Sequence, residues 1–344
     1  MSLESYVIGL MKEPSPKGMD RLVLSGLSQL EKMYFSQVEK KRTADMAAAV
    51  SAHVPVISVG NITAGGTGKT PCILMLAELF RSIGKKPAII SRGYKSGLEK
   101  EGGCVSDGRS ILVSQQMAGD EPYMMAGKLP SVPIFIGKDR IASVKRAEEM
   151  GVGILLLDDG FQYWKLRRDQ DIILIDATNP FGYGHGLPRG LLREPLDALS
   201  RASLFILTKS DQVHLTDLME IREELARLAP GVPVLSSTHA PSKVVPYEKW
   251  KAFLHEGTLE DVRMKKAYLV SGIGNPAAFR KTAKEAGLRP VGEMPFPDHH
   301  RYTEEDLRNA ISEAKANGAE LIVMTEKDAV KMLSLASLAE SDIP

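Results

Sequence analysis

Short apolar runs alternate with amphipathic segments along most of this 344-residue chain. Seven runs rich in Val and Ile have the length and the turn-forming flanks of buried strands. They are Pro55–Val59, Pro87–Ile90, Val132–Ile136, Ile154–Leu157, Ile172–Ile175, Leu204–Leu207 and Val232–Leu235. Segments with helical spacing separate several of them, at Pro71–Ile83, Ile141–Met150 and Asp217–Leu228. The pattern predicts a doubly wound α/β fold with a mainly parallel sheet.

A second, shorter α/β series follows a mixed stretch, His239–Glu260, which contains Pro241, Pro246 and Gly257. Its strand-like and helical segments are Ala267–Val270, Ala277–Ala286, Pro290–Met294, Glu304–Asn317 and Glu320–Met324. We therefore expect two domains, residues 1–240 and residues 241–344, of which the second is a smaller α/β domain.

The N-terminal segment from Asp20 to Arg42 predicts an amphipathic helix. Val23, Leu27, Leu30 and Tyr34 recur at the spacing of one helix face, and the segment ends in basic residues. Such a stripe packs against a protein core or rests on an anionic membrane surface, and both interpretations remain open at this point.

The segment Val54–Pro71, VPVISVGNITAGGTGKTP, predicts a phosphate-binding loop. A β-branched strand runs into a glycine-rich turn whose backbone N–H groups can surround an anion at the start of a helix. Lys69 would reach the outer phosphates of a nucleotide, and the Thr70 hydroxyl would hold Mg²⁺. The residues assigned to this loop are Thr63, Ala64, Gly65, Gly66, Thr67, Gly68, Lys69 and Thr70.

The first glycine of the pattern G-x-x-x-x-G-K-[ST] is replaced in this chain by Thr63. Gly65 and Gly66 are expected to supply the positive-φ positions instead.

Two acidic segments are candidates for catalytic or metal-binding groups. ILLLDDGFQ (Ile154–Gln162) is an apolar strand ending in Asp158 and Asp159, either of which could bind Mg²⁺ beside a phosphate-binding loop. AGDEP (Ala118–Pro122) places two carboxylates in a predicted loop, where Asp120 could accept a proton from an attacking hydroxyl. The alternatives are an Asp-Asp-Gly turn and a solvated acidic turn.

Basic residues and histidines occur in three further loops. FPDHHRY (Phe296–Tyr302) offers His299 or His300 to polarise a carboxylate or to contact phosphate. GYGHGLPRGLLREP (Gly182–Pro195) and GKDR (Gly137–Arg140) offer cations for an anionic substrate. The residues considered in these two loops are His185, Arg189, Arg193, Lys138 and Arg140, with Glu194 as a metal or hydroxyl partner. Each segment could equally be an ordinary surface loop.

Two polar segments, TKSD (Thr208–Asp211) and TEKDAVK (Thr325–Lys331), each follow a predicted strand. The first is similar to the NKxD element of GTP-binding proteins, but Thr replaces its Asn, which argues against guanine specificity.

Composition narrows the class of protein. A net charge of +1 gives no global electrostatic case for binding nucleic acid. The two cysteines, Cys72 and Cys104, lie in no CxxC or Cys/His cluster, so neither a disulfide framework nor a zinc site is predicted. No secretory signal and no run of 18 apolar residues is evident, so we expect a cytoplasmic protein without a transmembrane helix.

The ordered set of motifs closely resembles the tetraacyldisaccharide 4'-kinases, the lipid A pathway enzymes of Gram-negative bacteria. The motifs are VGNITAGGTGKTP, SRGY, GDEP, DDGFQ, PRGLLREP, FPDHHRY and TEKDAVK, and they span about residues 50 to 331. The resemblance implies a P-loop NTPase-type domain and a smaller α/β domain joined by a two-stranded linker. It also implies Mg²⁺-dependent transfer of the ATP γ-phosphate to the 4'-hydroxyl of an acylated glucosamine disaccharide 1-phosphate.

The resemblance also implies roles for individual residues of this sequence. Lys69 and Thr70 correspond to the family's phosphate-loop Lys and Ser/Thr, and Thr63 to the family's own variant first position. Asp120 corresponds to the catalytic base, His299 to its partner and Arg140 to an active-site arginine. The predicted metal ligands are Thr70, Asp158, Asp159 and Glu194.

Because Asp120 and His299 lie in different predicted domains, we hypothesise that domain closure assembles the pair. The family works at the cytoplasmic face of the inner membrane, which favours the amphipathic helix as a peripheral membrane element. The sequence does not predict an oligomeric state. The main alternative function is a P-loop GTPase or metallochaperone-type switch, and a second is a non-catalytic membrane-binding module.

Overall fold

The computed structural model describes residues 3–13, 17–298, 300–333 and 335. One predicted site residue, His299, lies outside the described residues. The chain divides into two compact units. Unit 1 comprises residues 1–92, 100–103 and 132–239, and unit 2 comprises residues 93–99, 104–131 and 240–344.

The described residues form eleven strands and eleven α-helices. The strands are β1 (Val56–Asn61), β2 (Pro87–Ser91), β3 (Gly103–Asp107), β4 (Pro133–Ile136), β5 (Ile154–Asp158), β6 (Gln170–Asp176), β7 (Leu204–Thr208), β8 (Val234–Ser236), β9 (Lys266–Ser271), β10 (Arg289–Pro295) and β11 (Leu321–Met324). The helices are α1 (Leu3–Lys12), α2 (Met19–Ala47), α3 (Lys69–Ser82), α4 (Gln115–Ala118), α5 (Asp120–Lys128), α6 (Arg140–Glu149), α7 (Leu215–Leu228), α8 (Tyr247–Lys251), α9 (Pro276–Glu285), α10 (Glu304–Ala316) and α11 (Glu326–Lys331). Short 3₁₀ turns occur at Gly182–Gly184, Leu196–Arg201, Ser210–Gln212 and Glu260–Val262.

The strands of unit 1 form a parallel sheet in the order β4-β2-β5-β1-β6-β7-β8. Every residue of β2 and β5 is buried, which explains their continuous apolar sequences, since both faces of a parallel sheet are covered. Because the strands are parallel, their C-terminal residues lie at one edge of the sheet. This architecture confirms the predicted doubly wound α/β fold of the P-loop NTPase type.

The C-terminal edge of the sheet therefore collects the polar residues that end its strands. Asn61 ends β1, Ser91 ends β2 and Asp158 ends β5, while Val59 of β1 pairs with Asp158 in register. A core cluster beside this edge includes Phe161, and its members are buried.

Unit 2 contains a parallel sheet of three strands in the order β10-β9-β11. Successive residues of β9 point to opposite faces, so Leu269 joins one core cluster and Val270 another. A third cluster holds Trp250 of α8 and Val330 of α11, with Tyr123 of α5 packed against it.

The division of the chain into two units differs from the expected one within the first half of the sequence. Residues 240–344 fall in unit 2, close to the expected boundary, but residues 93–99 and 104–131 join them. The reason is helix α5, which packs against α11. The sequence predicted a loop at AGDEP, whereas Asp120 and Glu121 form the first turn of α5, where Pro122 is tolerated.

Helix α2 packs one face on the loop Gly182–Arg193 of unit 1. The Glu31 carboxylate accepts from the Gly186 N–H at 2.6 Å, and the Tyr34 hydroxyl donates to the Arg193 carbonyl at 3.0 Å. Leu30 is exposed, although its spacing predicts that it shares the face of Tyr34. The exposed large apolar residues of this helix are Met19, Leu22, Leu30, Met33 and Met46. Among the described residues, no helix is long and apolar enough to cross a membrane.

Candidate active site

The loop between β1 and α3 has the backbone of a phosphate-binding turn. Gly65 and Gly68 have φ angles of 116° and 88°, in the left-handed region that favours glycine. Gly66 is not among the positive-φ glycines, so the expectation that it supplies such a position is corrected, and Gly68 takes that role. A side chain at Gly65 would meet no heavy atom within 4 Å, so its need for glycine is conformational rather than steric.

Thr63, which replaces the first glycine of the pattern, has strand-like pairing. It forms an isolated antiparallel bridge with Leu192, and the next N–H, that of Ala64, donates to the Leu191 carbonyl at 2.7 Å. Extended backbone suits a β-branched residue, so this position requires no glycine. The bridge also joins the phosphate loop to the segment that carries Arg193 and Glu194.

Lys69, the first residue of α3, is held by a polar cluster. Its ammonium group donates to Asn61 Oδ1 at 3.1 Å and lies 3.6 Å from Asp159 Oδ1. Asn61 is fully buried, and its amide nitrogen donates to the Thr63 carbonyl at 2.6 Å. The cluster places a lysine ammonium beside the phosphate loop, where it can offset negative charge.

Asp159 is the anion that balances this cluster. Arg193 binds it in a bidentate manner, with N–O distances of 2.8 and 3.2 Å, and also donates to Asn61 Oδ1 at 3.2 Å. Burial opposes ionisation of the Asp159 carboxyl, but Lys69, Arg193 and Arg140 outweigh it and hold its pKa well below the usual range. Asp159 is therefore a carboxylate throughout the physiological pH range.

Asp158 and Arg140 flank this carboxylate. Asp158 is buried, and its Oδ2 accepts a hydrogen bond from the Ser91 hydroxyl at 2.8 Å. Arg140 is also buried and donates to the Asp159 carbonyl at 3.0 Å, with its guanidinium over the Tyr163 ring. The structure thus brings the predicted residues Lys69, Asp158, Asp159 and Arg140 into one neighbourhood.

Glu194 has a different environment. Its side chain is fully buried, and both carboxylate oxygens accept from Arg201 Nη2 at 3.0 and 2.8 Å. The Gln162 amide donates to the same carboxylate at 3.0 Å and to the Asn61 carbonyl. The Arg201 guanidinium lies over the Phe161 ring at 4.3 Å. These contacts hold the carboxylate inside unit 1 and connect it to Asn61.

The groups around the loop fit a nucleotide phosphate and Mg²⁺. The Thr67 hydroxyl is buried and makes no hydrogen bond to the described residues, as expected for a donor that serves a ligand. The donor set of Thr70 hydroxyl and Asp158 carboxylate is the oxygen chemistry that Mg²⁺ prefers. No three His, Cys, Asp or Glu side chains converge as a metal cluster within the described part of the chain.

Unit 2 holds the second group of predicted residues. Asp120 is the first residue of α5, and the Gln115 amide donates to its Oδ1 at 2.5 Å. His300 Nε2 lies 3.0 Å from Asp306 Oδ2, and the ring stacks on Phe296, so contacts within unit 2 hold this histidine. Asp120 and both neighbours of His299 in the sequence belong to unit 2.

Sequence reasoning missed four residues that complete the site. Asn61 and Ser91 carry a usable signal, because each is a polar residue at the C-terminal end of a buried strand. Gln162 and Arg201 have no such signal, since their partners Glu194 and Phe161 are identified only by the fold. Arg201 lies in a 3₁₀ turn whose sequence shows no motif.

Comparisons with known proteins agree with one another. A sequence profile for LpxK, described as tetraacyldisaccharide-1-P 4'-kinase, matches residues 21–343. A tetraacyldisaccharide 4'-kinase from Halothermothrix orenii is 38% identical over 339 residues, covering 96% of this chain and 88% of that protein. One from Anaeromyxobacter sp. strain Fw109-5 is 41% identical over 294 residues, covering 83% and 76%. The structure of LpxK from Aquifex aeolicus in complex with ATP has a TM-score of 0.70 and 29% identity, covering 91% of each chain.

Proposed function

This chain belongs to the tetraacyldisaccharide-1-P 4'-kinase family, and from that membership we propose its reaction in terms of its own residues. It is an ATP-dependent kinase that phosphorylates the 4'-hydroxyl of a tetraacyl glucosamine disaccharide 1-phosphate in lipid A biosynthesis. The observation that carries this conclusion is the match over residues 21–343. The alternative of a GTPase or metallochaperone is not favoured by any of these relatives.

The phosphate loop binds and orients ATP. N–H groups at the start of α3 face the phosphates, and Lys69 neutralises charge that develops on the transferred phosphoryl group. Asn61 and Asp159 hold the lysine ammonium, and Arg193 keeps Asp159 in place through two hydrogen bonds. Mg²⁺, for which Thr70 and Asp158 are the proposed holders, would supply further neutralisation of the phosphate oxygens.

Asp120 is the proposed base that accepts the proton of the sugar 4'-hydroxyl. The Gln115 amide holds one carboxylate oxygen, which leaves the other oxygen to face the hydroxyl. His299 is proposed as its partner on the basis of the family resemblance. Because Asp120 and the flanking Asp298 and His300 belong to the same unit, the pair needs no closure between units for its assembly.

Asp120→Ala tests the base. We expect kcat to fall by at least about 10²-fold with little change in KM for ATP, because general-base catalysis contributes roughly that factor. An Asp120→Ala/His299→Ala double variant is expected to be hardly worse than the worse single variant. A kcat of Asp120→Ala within about threefold of wild type would show that the base assignment is wrong.

The acylated substrate requires access to a lipid surface. We propose that the protein works peripherally at the cytoplasmic face of the inner membrane, with α2 as the contacting element. The exposed apolar residues of α2 support this, because they leave one side of the helix without a protein partner among the described residues while another side packs on the loop Gly182–Arg193.

The activity itself is tested with purified protein, radiolabelled ATP and tetraacyldisaccharide 1-phosphate in detergent micelles. We expect labelled lipid to form in a Mg²⁺-dependent manner, and Lys69→Ala to abolish it. Absence of labelled lipid from folded wild-type protein would contradict the kinase function.

A further inference from the structure

The motif TEKDAVK (Thr325–Lys331) has no role in the reaction described so far. It forms the whole of α11 and its N-cap, Thr325, whose hydroxyl accepts from the Asp328 N–H at 3.2 Å. Asp328 is fully buried and pairs with Lys331, which also donates to the Gly272 carbonyl at 3.2 Å. The helix is therefore firmly fixed next to the end of β9.

Lys327, the second residue of α11, lies between two carboxylates from distant parts of the sequence. Its Nζ is 3.7 Å from Glu121 Oε1 and 3.7 Å from Asp298 Oδ1. Glu121 follows Asp120 in the first turn of α5, and Asp298 precedes His299. The Lys327 ammonium group thus connects the GDEP segment (Gly119–Pro122) to the FPDHH segment (Phe296–His300). All of these residues belong to unit 2.

A second ion pair joins the same two helices. Lys128, the last residue of α5, pairs with Glu326 of α11, and the Trp250 indole donates to the same carboxylate at 3.2 Å. Helix α5 is therefore attached to α11 at both ends, and Lys327 makes the attachment at the end that carries Asp120. The FPDHH segment is held separately, because the Phe296 N–H donates to the Ser271 carbonyl and fixes the start of the segment on β9.

We propose that Lys327 is a positioning residue for phosphoryl transfer, which fixes the GDEP segment relative to the FPDHH segment. This inference rests on the proposed role of Asp120 as the base. Without the ammonium group, Glu121 and Asp298 would repel each other and separate the two segments. A displacement of about 1 Å at a reacting group costs up to 10²-fold in rate, so the effect falls on kcat.

The contribution to stability is expected to be small. The side chains of Glu121 and Asp298 are each 44% exposed, and that of Lys327 is 26% exposed. Ion pairs of this exposure contribute little to folding because water screens them. Lys327 therefore differs from a structural residue in a measurable way, since its loss lowers kcat and leaves the thermal midpoint nearly unchanged.

The test compares Lys327→Met, Lys327→Arg and Lys281→Met. Lys281 pairs with Glu285 on the surface of α9 and provides the matched control for removing a lysine from unit 2. We expect Lys327→Met to lower kcat about tenfold or more, with KM for ATP within about twofold of wild type. Lys327→Arg is expected to retain most of kcat because it keeps the cation, and Lys281→Met to match wild type.

Hydrogen exchange supplies a readout that does not depend on activity. In Lys327→Met, peptides covering residues 115–124 and 296–302 should exchange faster than in wild type, while Lys281→Met leaves them unchanged. Faster exchange in those peptides would show that Lys327 fixes the two segments, whatever the activity of the wild type. Failure of the wild type to phosphorylate the lipid would instead overturn the proposed function. Wild-type kcat and wild-type exchange in Lys327→Met would overturn the positioning role, as would a Lys327→Arg variant as impaired as Lys327→Met.

A second variant, Glu121→Gln, tests the same contact and leaves Lys327 in place. Glu121→Gln removes one carboxylate from the ammonium group and should lower kcat by a smaller factor. In the double variant Lys327→Met/Glu121→Gln, the total loss of kcat relative to wild type should be smaller than the product of the two single losses, because both changes act through one contact. Simple multiplication of the two effects would contradict the proposal.

Discussion

Asn61 accepts hydrogen bonds from two cations, Lys69 and Arg193, through one amide oxygen. Its amide nitrogen donates to the Thr63 carbonyl, so the same side chain also fixes the start of the phosphate loop. An aspartate at this position would supply charge but not the donor. A neutral side chain therefore orients the charged groups of the site.

Glu194→Ala should destabilise the fold. The change removes the carboxylate that accepts hydrogen bonds from Arg201 Nη2, while the Arg201 guanidinium stays over the Phe161 ring. Breaking such a buried pair costs about 3 kcal/mol, and urea denaturation should show a loss of that order in the unfolding free energy. Glu224→Ala, which breaks the exposed pair with Arg227, is the control and should have no measurable effect.

The same experiment separates two roles for Glu194. An unchanged unfolding free energy, together with a raised Mg²⁺ requirement for activity, would contradict the structural role and favour the metal ligand that the family resemblance implies.

Asp159→Asn should change the pH dependence of stability. The pKa of Asp159 is lowered in the folded protein, so its ionised form stabilises the fold above the unfolded-state pKa of about 4. That contribution is lost as the pH falls below about 4. The difference in unfolding free energy between wild type and Asp159→Asn should be largest near pH 7 and should shrink below about pH 4. Urea denaturation across this range measures it, and a difference independent of pH would refute the assignment.

The elements differ in how far the sequence predicts them. Strands β2 and β5 of unit 1 are continuous apolar runs buried on both faces, and β2, β5 and β7 start at the predicted residue. Helices α5 and α11 are short, and they are stabilised by packing against each other although Lys128 and Glu326 are 198 positions apart in the sequence. Such a contact leaves no periodic pattern in the local sequence, so the sequence predicts a loop at AGDEP. Likewise, the sequence offers Asp158 and Asp159 as equal candidates for Mg²⁺, whereas the fold gives their carboxylates different hydrogen-bond donors, Ser91 for Asp158 and Arg193 for Asp159.

The exposed apolar residues of α2 are expected to contact the membrane. A variant with Leu22, Leu30 and Met33 all changed to Ser should bind anionic phospholipid vesicles at least tenfold more weakly, because it loses apolar area. Its kcat in detergent micelles should remain near wild type, since the contacts of Glu31 and Tyr34 with the loop are kept. Vesicle sedimentation and micelle kinetics measure the two effects.

Exposed apolar residues of another helix provide the control. Leu215→Ser/Met219→Ser removes exposed apolar area from α7 and should not alter vesicle binding. Equal loss in both variants would show that binding is non-specific, and equal binding of wild type and the α2 variant would exclude α2 as the contact.

At the scale of the whole molecule, unit 2 is discontinuous in sequence. The segment 104–131 supplies α5, whose Tyr123 packs against the cluster of Trp250, Ala329 and Val330. An isolated fragment of residues 241–344 therefore lacks part of its own core. The boundary expected near residue 240 lies next to the start of one segment of unit 2, whereas the segment contributed from the first half of the chain has no local signal in the sequence.

The fragment 241–344 is expected to unfold without cooperativity. Trp250 is its one tryptophan, and its fluorescence should be red-shifted because α5 no longer packs near it. The full chain with Trp164→Phe provides the comparison, since it keeps Trp250 as its one tryptophan together with α5. Blue-shifted emission and a sharp urea transition in the fragment would show that α5 is dispensable for this core.

The pairing of α5 with α11 also has a consequence for synthesis of the chain. Lys128 and Glu326, which join the two helices, are separated by 198 positions. At about 5–20 residues per second, a ribosome needs roughly 10–40 s to make the intervening chain. The strands from β4 to β8 emerge during that interval, so unit 1 can fold first. Until α11 is synthesised, the apolar face of α5 has no α11 to pack against. A chaperone therefore has time to bind this segment of the nascent chain.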